Sequence, residues 1–285
     1  MVGVSAMNVA HVATLGNARG GPLYEMRLAG VAVAPDDHLF TVGDDSIKQF
    51  TTDQTLAGEF ELGGLGWSLY AEQDVVWVGM DGKLMSFTRD GKSVVTIQDG
   101  ERLGRVTAVA AAGDELVLAD ATHRAVRRYS RTGRYLGDLG TAANTRGFMI
   151  PNGVLDLVSD KRNQTVLVAH PQKHRVERYA ASGALVAKWG KFGMHDPSDF
   201  GGCCNPTNIA VASDGTVAVS EKAPPRIKLY DADGTFELLI DQDIFDPNTK
   251  NIDLDFDSQH RLYATDPARR VVHILQLANI AESVS

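Results

Sequence analysis

The chain has 285 residues, 44% hydrophobic and 22% charged, proportions of a folded globular protein that exclude a disordered tail or a fibrous repeat. Its 28 basic and 36 acidic residues leave a net charge of −8 with no basic stripe, so no nucleic-acid partner is expected. No apolar run is long enough for a membrane span, and Met1 to Gly16 lacks both a basic start and a continuous apolar stretch. The expectation is therefore a cytoplasmic protein, and an exported mature form would read the same way.

Glycine is over-represented, with 28 residues against a usual ~7%, which signals many tight turns. In chain order, an aromatic residue is followed four positions later by Gly in Phe87/Gly91, Tyr129/Gly133, Tyr179/Gly183 and Tyr230/Gly234, while Phe50 has Gln54 in the Gly slot. Before each aromatic lies an alternating stretch such as Ile227-Lys228-Leu229-Tyr230, and after each turn a further strand such as Thr235 to Ile240. The period of two marks them as strands. Upstream, each unit holds two more apolar runs split by a turn, as in Ile209-Ala210-Val211, Ser213-Asp214-Gly215 and Val217-Ala218-Val219. That makes four strands per unit.

The anchors Phe50, Phe87, Tyr129, Tyr179, Tyr230 and Ile274 are spaced by 37, 42, 50, 51 and 44 residues, the length of a propeller blade. The sequence thus predicts an all-β, six-bladed β-propeller forming one domain over residues 1–285. Its blades fall at about 24–63, 64–104, 105–140, 150–190, 206–240 and 251–277, with a tail at 278–285. The sixth unit lacks a fourth strand, and the stretch Ala10 to Gly16 has no blade of its own. It is expected to complete blade six and close the ring.

Units such as Gly30-Val31-Ala32-Val33-Ala34-Pro35-Asp36-Asp37 and Val117 to Arg124 resemble the NHL-repeat family of β-propellers, over about residues 7–277. The resemblance implies a propeller and leaves its use open, since NHL-like propellers include binding platforms and metal-dependent lyases, and the related gluconolactonase-like propellers are hydrolases.

Let the strands of a blade be A to D from the centre outward. The A-to-B and C-to-D turns then share one face, and they are short and stereotyped, with Gly supplying positive φ. The opposite face carries the B-to-C turns and the long D-to-A pieces Thr141 to Ile150, Lys191 to Pro206 and Asp241 to Lys250. Loops of that length on a rigid frame tend to carry function, so the site is expected there. In the B-to-C turns, Asp120, His170, Glu221 and Asp266 occupy corresponding places. They either hydrogen-bond their own turns or ring the channel mouth. Lys83, Arg175, Arg226 and Arg270 open strand C, as partners in inter-blade salt bridges or as an anion-binding rim. Asn152 in Pro151-Asn152-Gly153 and Asn208 in Pro206-Thr207-Asn208 are expected to open strand A at the channel, where an amide can bind a ligand or a divalent metal.

Pro151-Asn152-Gly153 resembles a gluconolactonase-type metal site. That family's set is Glu, two Asn and Asp, for which the chain offers Asn152, Asn208 and Asp253. Where the Glu is expected stands Leu28-Ala29-Gly30, with Glu25 just outside.

The two cysteines are adjacent, in Phe200-Gly201-Gly202-Cys203-Cys204-Asn205-Pro206, and cannot staple distant segments. They read as free thiols, a vicinal disulfide, or soft ligands to zinc or copper together with His170 or His195. No nucleophile elbow, phosphate loop or dinucleotide fingerprint is present. The leading expectation is a scaffold that binds a protein partner or small molecule through the loop-bearing face. The alternative is a metal-dependent hydrolase or lyase with its site at the channel mouth.

Overall fold

A computed structural model describes residues 7–279. Its 24 strands form six four-stranded antiparallel sheets, spanning residues 28–61, 66–98, 106–139, 156–189 and 209–240 for blades one to five. The sixth sheet joins Leu254–Phe256, Arg261–Asp266 and Val271–Asn279 to the N-terminal strand Met7–Leu15. Leu15 opposes Val272, and Met7 opposes Asn279. The first and last strands of the domain are therefore hydrogen-bonded, and the ring closes without an inner break. The last strand runs two residues past the expected end at 277, and the rest of the expected tail, 280–285, lies outside the described residues.

The repeat seen in the sequence has a backbone cause. In blades one to five the pairing of strands C and D slips by one residue at the anchor aromatic: Phe50, Phe87, Tyr129, Tyr179 and Tyr230. Such a bulge adds twist at the blade's outer edge. The residue four places on has positive φ in each case, from +68° at Gln54 to +91° at Gly133. Gln54 takes the same conformation at φ +68°, so blade one keeps the turn without the glycine.

Six apolar clusters lie between neighbouring sheets, one at each blade interface. Ala32, Phe40, Val42, Leu69, Val76 and Val78 join blades one and two, and Leu15, Leu28, Val31, Tyr263, Val272 and Ile274 join blade six to blade one. With ~1.5–3 kcal/mol available per buried large side chain, the blades are held by these faces, while polar links align their inner strands. Among the described residues, no helix is long and apolar enough to cross a membrane.

Candidate functional site: the channel and the loop-bearing face

The innermost strand of each blade exposes one edge to the central channel, where backbone groups need partners. Side chains from adjacent blades supply them. Arg27 Nη2 donates to Gly66 O at 2.6 Å and Ser68 Oγ to Val106 O at 3.0 Å. Thr107 Oγ1 donates to Leu155 O at 2.7 Å, and Ser220 Oγ to Ile252 O at 2.8 Å. Between blades four and five the Ile209 N–H donates to Asp156 Oδ2 at 2.8 Å. At the closing seam the Val31 and Val33 N–H groups donate to Asp253 Oδ2 and Asp255 Oδ2, at 2.8 and 2.7 Å. Every blade is thus tied to the next around the axis.

Three carboxylates stand in the channel wall through these links. Burial raises all three: Asp156 well above the usual carboxylate range, with the nearby Asp253 charge adding to the effect, Asp253 to about 6 and Asp255 to about 7. Asn208, 4% exposed, lies beside two of them and donates from Nδ2 to Asp253 Oδ1 at 3.2 Å; its amide also lowers Asp156. Its Oδ1 has no hydrogen-bond partner, nor does Oδ1 of Asn152, whose Nδ2 donates to Asn251 Oδ1 at 3.2 Å. A cavity of about 410 Å³ continues from Asp156, Asp253 and Asp255 past Val33, Tyr70, Val109 and Phe256 to the A-to-B turns at Pro35, Lys161 and Ser258. It therefore extends toward the face built of short turns, away from the long insertions.

Asn152 does not open a strand as expected. Ile150 to Gly153 form a turn, with the Gly153 N–H donating to Ile150 O at 2.9 Å, and the strand begins at Asp156. Asn208 directly precedes strand Ile209–Val211 and meets Asp253. Among the described residues no glutamate is hydrogen-bonded to them: Gly30 stands against Asp253, and Glu25 is exposed, its backbone N–H engaged with Asp44.

The B-to-C residues are not brought together at the channel mouth. Asp120, His170, Glu221 and Asp266 are each buried at the end of strand B, where they catch the insertion leading into their own blade. Asp120 accepts the Gly104 N–H, and His170 Nε2 the Met149 N–H at 3.1 Å. Glu221 accepts the Gly201 N–H at 3.2 Å, and Asp266 the Asp246 N–H at 2.8 Å. Around Asp266, bonds from His273 and Thr249 hold the carboxyl well below its usual range although burial opposes them. His170 Nδ1 faces Glu177 at 3.2 Å, and the carboxyl of Glu177 is held low by His170, Tyr179 and Asn144 against the cost of burial.

The strand-C cations pair at short range. Arg175 meets Glu177 and Arg226 meets Glu221, each inside its own blade, so they form neither an anion rim nor inter-blade bridges. Arg270 Nε donates to Tyr24 O at 3.0 Å, and nothing in the structure gives Lys83 a partner role at the site.

Cys203 is exposed, Cys204 is buried, and both are free. His195 is exposed in the same insertion, whereas His170 is fully buried. Among the described residues, no three His, Cys, Asp or Glu side chains are gathered to hold a metal ion. Sequence reasoning passed over the channel acids Asp156 and Asp255 and the links Ser68, Thr107 and Ser220. For Asp255 the alternation Asp253-Leu254-Asp255-Phe256-Asp257 was a visible signal, because a strand buried on both faces reads as continuously apolar.

No protein-family profile and no curated protein matches the chain. Solved structures do match in fold. A Bacteroides thetaiotaomicron protein of unknown function aligns at TM-score 0.67 and 13% identity, over 96% of this chain and 76% of that one. The WD40 propeller domain of Doa1 aligns at 0.62 and 14%, over 87% and 78%. Virginiamycin B lyase from Staphylococcus aureus aligns at 0.61 and 12%, over 95% and 100%. These likenesses establish the propeller.

Proposed function

We propose that this propeller is a binding platform of the NHL-repeat kind, docking a protein partner on the face that carries the D-to-A insertions. The observation that carries this reading is where large apolar side chains stand in solvent. Among the described residues, Met26, Leu65, Met149, Phe192 and Met194 are exposed, and all five lie in D-to-A connections; Phe192 and Met194 are 59% and 66% exposed. The other exposed ones, Val12, Leu56, Val94 and Val186, sit on outer strands around the rim. Exposed apolar groups concentrated on one face mark an interaction surface, and buried anchors hold the loops that bear Met149, Phe192 and Met194. One of the structures similar in fold belongs to a multi-protein assembly, the mitotic checkpoint complex. Co-purification from the cells that make the protein tests this. Phe192→Asp with Met149→Asp should lose a partner that wild type and the rim variant Val94→Asp both retain. A partner set unchanged by the double variant would refute it.

A second reading, a metal-dependent hydrolase or lyase, draws on the Asn208 amide beside Asp253 and Asp156 and on the unpartnered oxygens of Asn208 and Asn152. The gluconolactonase-type set is incomplete without its glutamate, so no reaction step is derived through a metal. Metal analysis of protein purified without chelator should find about one equivalent, absent from Asp253→Asn, if this reading holds. Metal-free wild-type protein would sink it.

A further inference from the structure

The Gly201 to Asn205 stretch is held as a rigid bracket. The Gly201 N–H is bound by Glu221, as above, and Asn205 closes the other end. Its Nδ2 donates to Gly201 O at 2.8 Å and to Lys222 O at 2.9 Å, and its Oδ1 accepts the Lys222 N–H at 2.8 Å. Inside the bracket Cys204 takes a left-handed backbone, φ +71°, next to the exposed Cys203. Backbone strain in a non-glycine residue persists only where its surroundings enforce it, and here both ends of the bracket do so.

A third sulfur lies beside this bracket. Met194 Sδ accepts the Gly202 N–H at 3.2 Å and would lie 3.3 Å from a Cβ on Gly201. The side chain is otherwise largely in solvent, so core packing does not explain its position.

We propose that Cys203, Cys204 and Met194 form a binding site for one soft monovalent cation of the Cu(I) type. Two thiolates and a thioether are soft donors that suit Cu(I). A structural zinc site needs four nitrogen or sulfur ligands in a closed tetrahedron, and neither histidine named from the sequence completes one: His170 is committed to Met149 and Glu177, and His195 stands in solvent. Two thiolates and one Cu(I) leave a single negative charge. Binding releases the thiol protons, so affinity rises with pH.

The test is anaerobic titration of the reduced, full-length protein with Cu(I) against a chromogenic competing chelator, with the thiolate-to-copper ultraviolet band as second readout. One equivalent should bind. Cys203→Ser, at an exposed position, should keep the far-ultraviolet spectrum and weaken binding by roughly 100-fold or more, and Met194→Leu by about tenfold with the band retained. Wild-type affinity no greater than that of Cys203→Ser would overturn the site. An unchanged affinity in Met194→Leu would overturn the three-sulfur assignment.

Discussion

Glu221 is where a role in binding and a role in holding the fold make opposite predictions. It is fully buried at the end of its strand, 3.1 Å from the ammonium of Lys228, itself fully buried, and bonded to Arg226. Lys228 also donates to Asp199 O and lies 4.8 Å from the Phe200 ring. At 3.1 Å and an effective dielectric constant near 20, the Coulomb attraction is roughly 5 kcal/mol. Breaking a buried pair by removing one charge costs about 3–5 kcal/mol. Glu221→Gln preserves shape and an acceptor for the Gly201 N–H, so it isolates the charge. With an unfolding entropy of about 2.1 cal/mol/K per residue, a 285-residue chain should melt roughly 5–8 °C lower. Lys228→Met alone should be comparably damaging, while the pair Glu221→Leu with Lys228→Met should recover part of the loss, because the fully buried ammonium goes with its partner and only the partly exposed Arg226 and the Gly201 N–H lose theirs. Thermal and urea unfolding of the four proteins measure this. A Glu221→Gln variant within 1 kcal/mol of wild type, or additive penalties in the double variant, would refute the structural assignment and return Glu221 to the candidates for ligand contact.

Two further outcomes follow from the channel and the seam. Asp253 and Asp255 have folded values raised to about 6 and about 7, above the unfolded value near 4. The native state therefore holds protons that the unfolded chain has released, and stability should fall as pH rises from about 4 to about 7, by several kcal/mol at about 1.4 kcal/mol per unit and group. Glu177 and Asp266 are shifted the other way, so their contribution is lost only as pH falls below about 4. Melting temperature should peak near pH 4–5 and decline toward pH 8, with the decline shallower in Asp255→Asn; a rise from pH 5 to 8, or an unchanged slope in the variant, would contradict the raised values. Deleting residues 7–15 should expose the edge of Val271–Asn279, which now pairs with Met7–Leu15. Size-exclusion chromatography should then show self-association, and a deletion variant as monodisperse as wild type would count against the closing role of that strand.

Local chemistry repeated at a fixed spacing was legible without coordinates. The aromatic anchors, the turn four residues on and the missing fourth strand of the last unit reported blade count, strand count and closure, because twist and turn geometry are properties of neighbours in sequence. The B-to-C residues were legible as a set but not in role: whether His170 and Glu221 reach the channel or pin an insertion depends on where residues 149 and 201 return in space. The carboxylates are the same case. Asp156 earns its place only by meeting the Ile209 N–H, 53 residues on, and Asp253 by meeting Val31 across the seam of the ring. Such pairings belong to the closed circle, since an inner strand's free edge exists only once six blades surround an axis. Likewise the cysteine pair was visible in the sequence, and the third sulfur was not: folding of the insertion replaced the expected histidine neighbours with Met194.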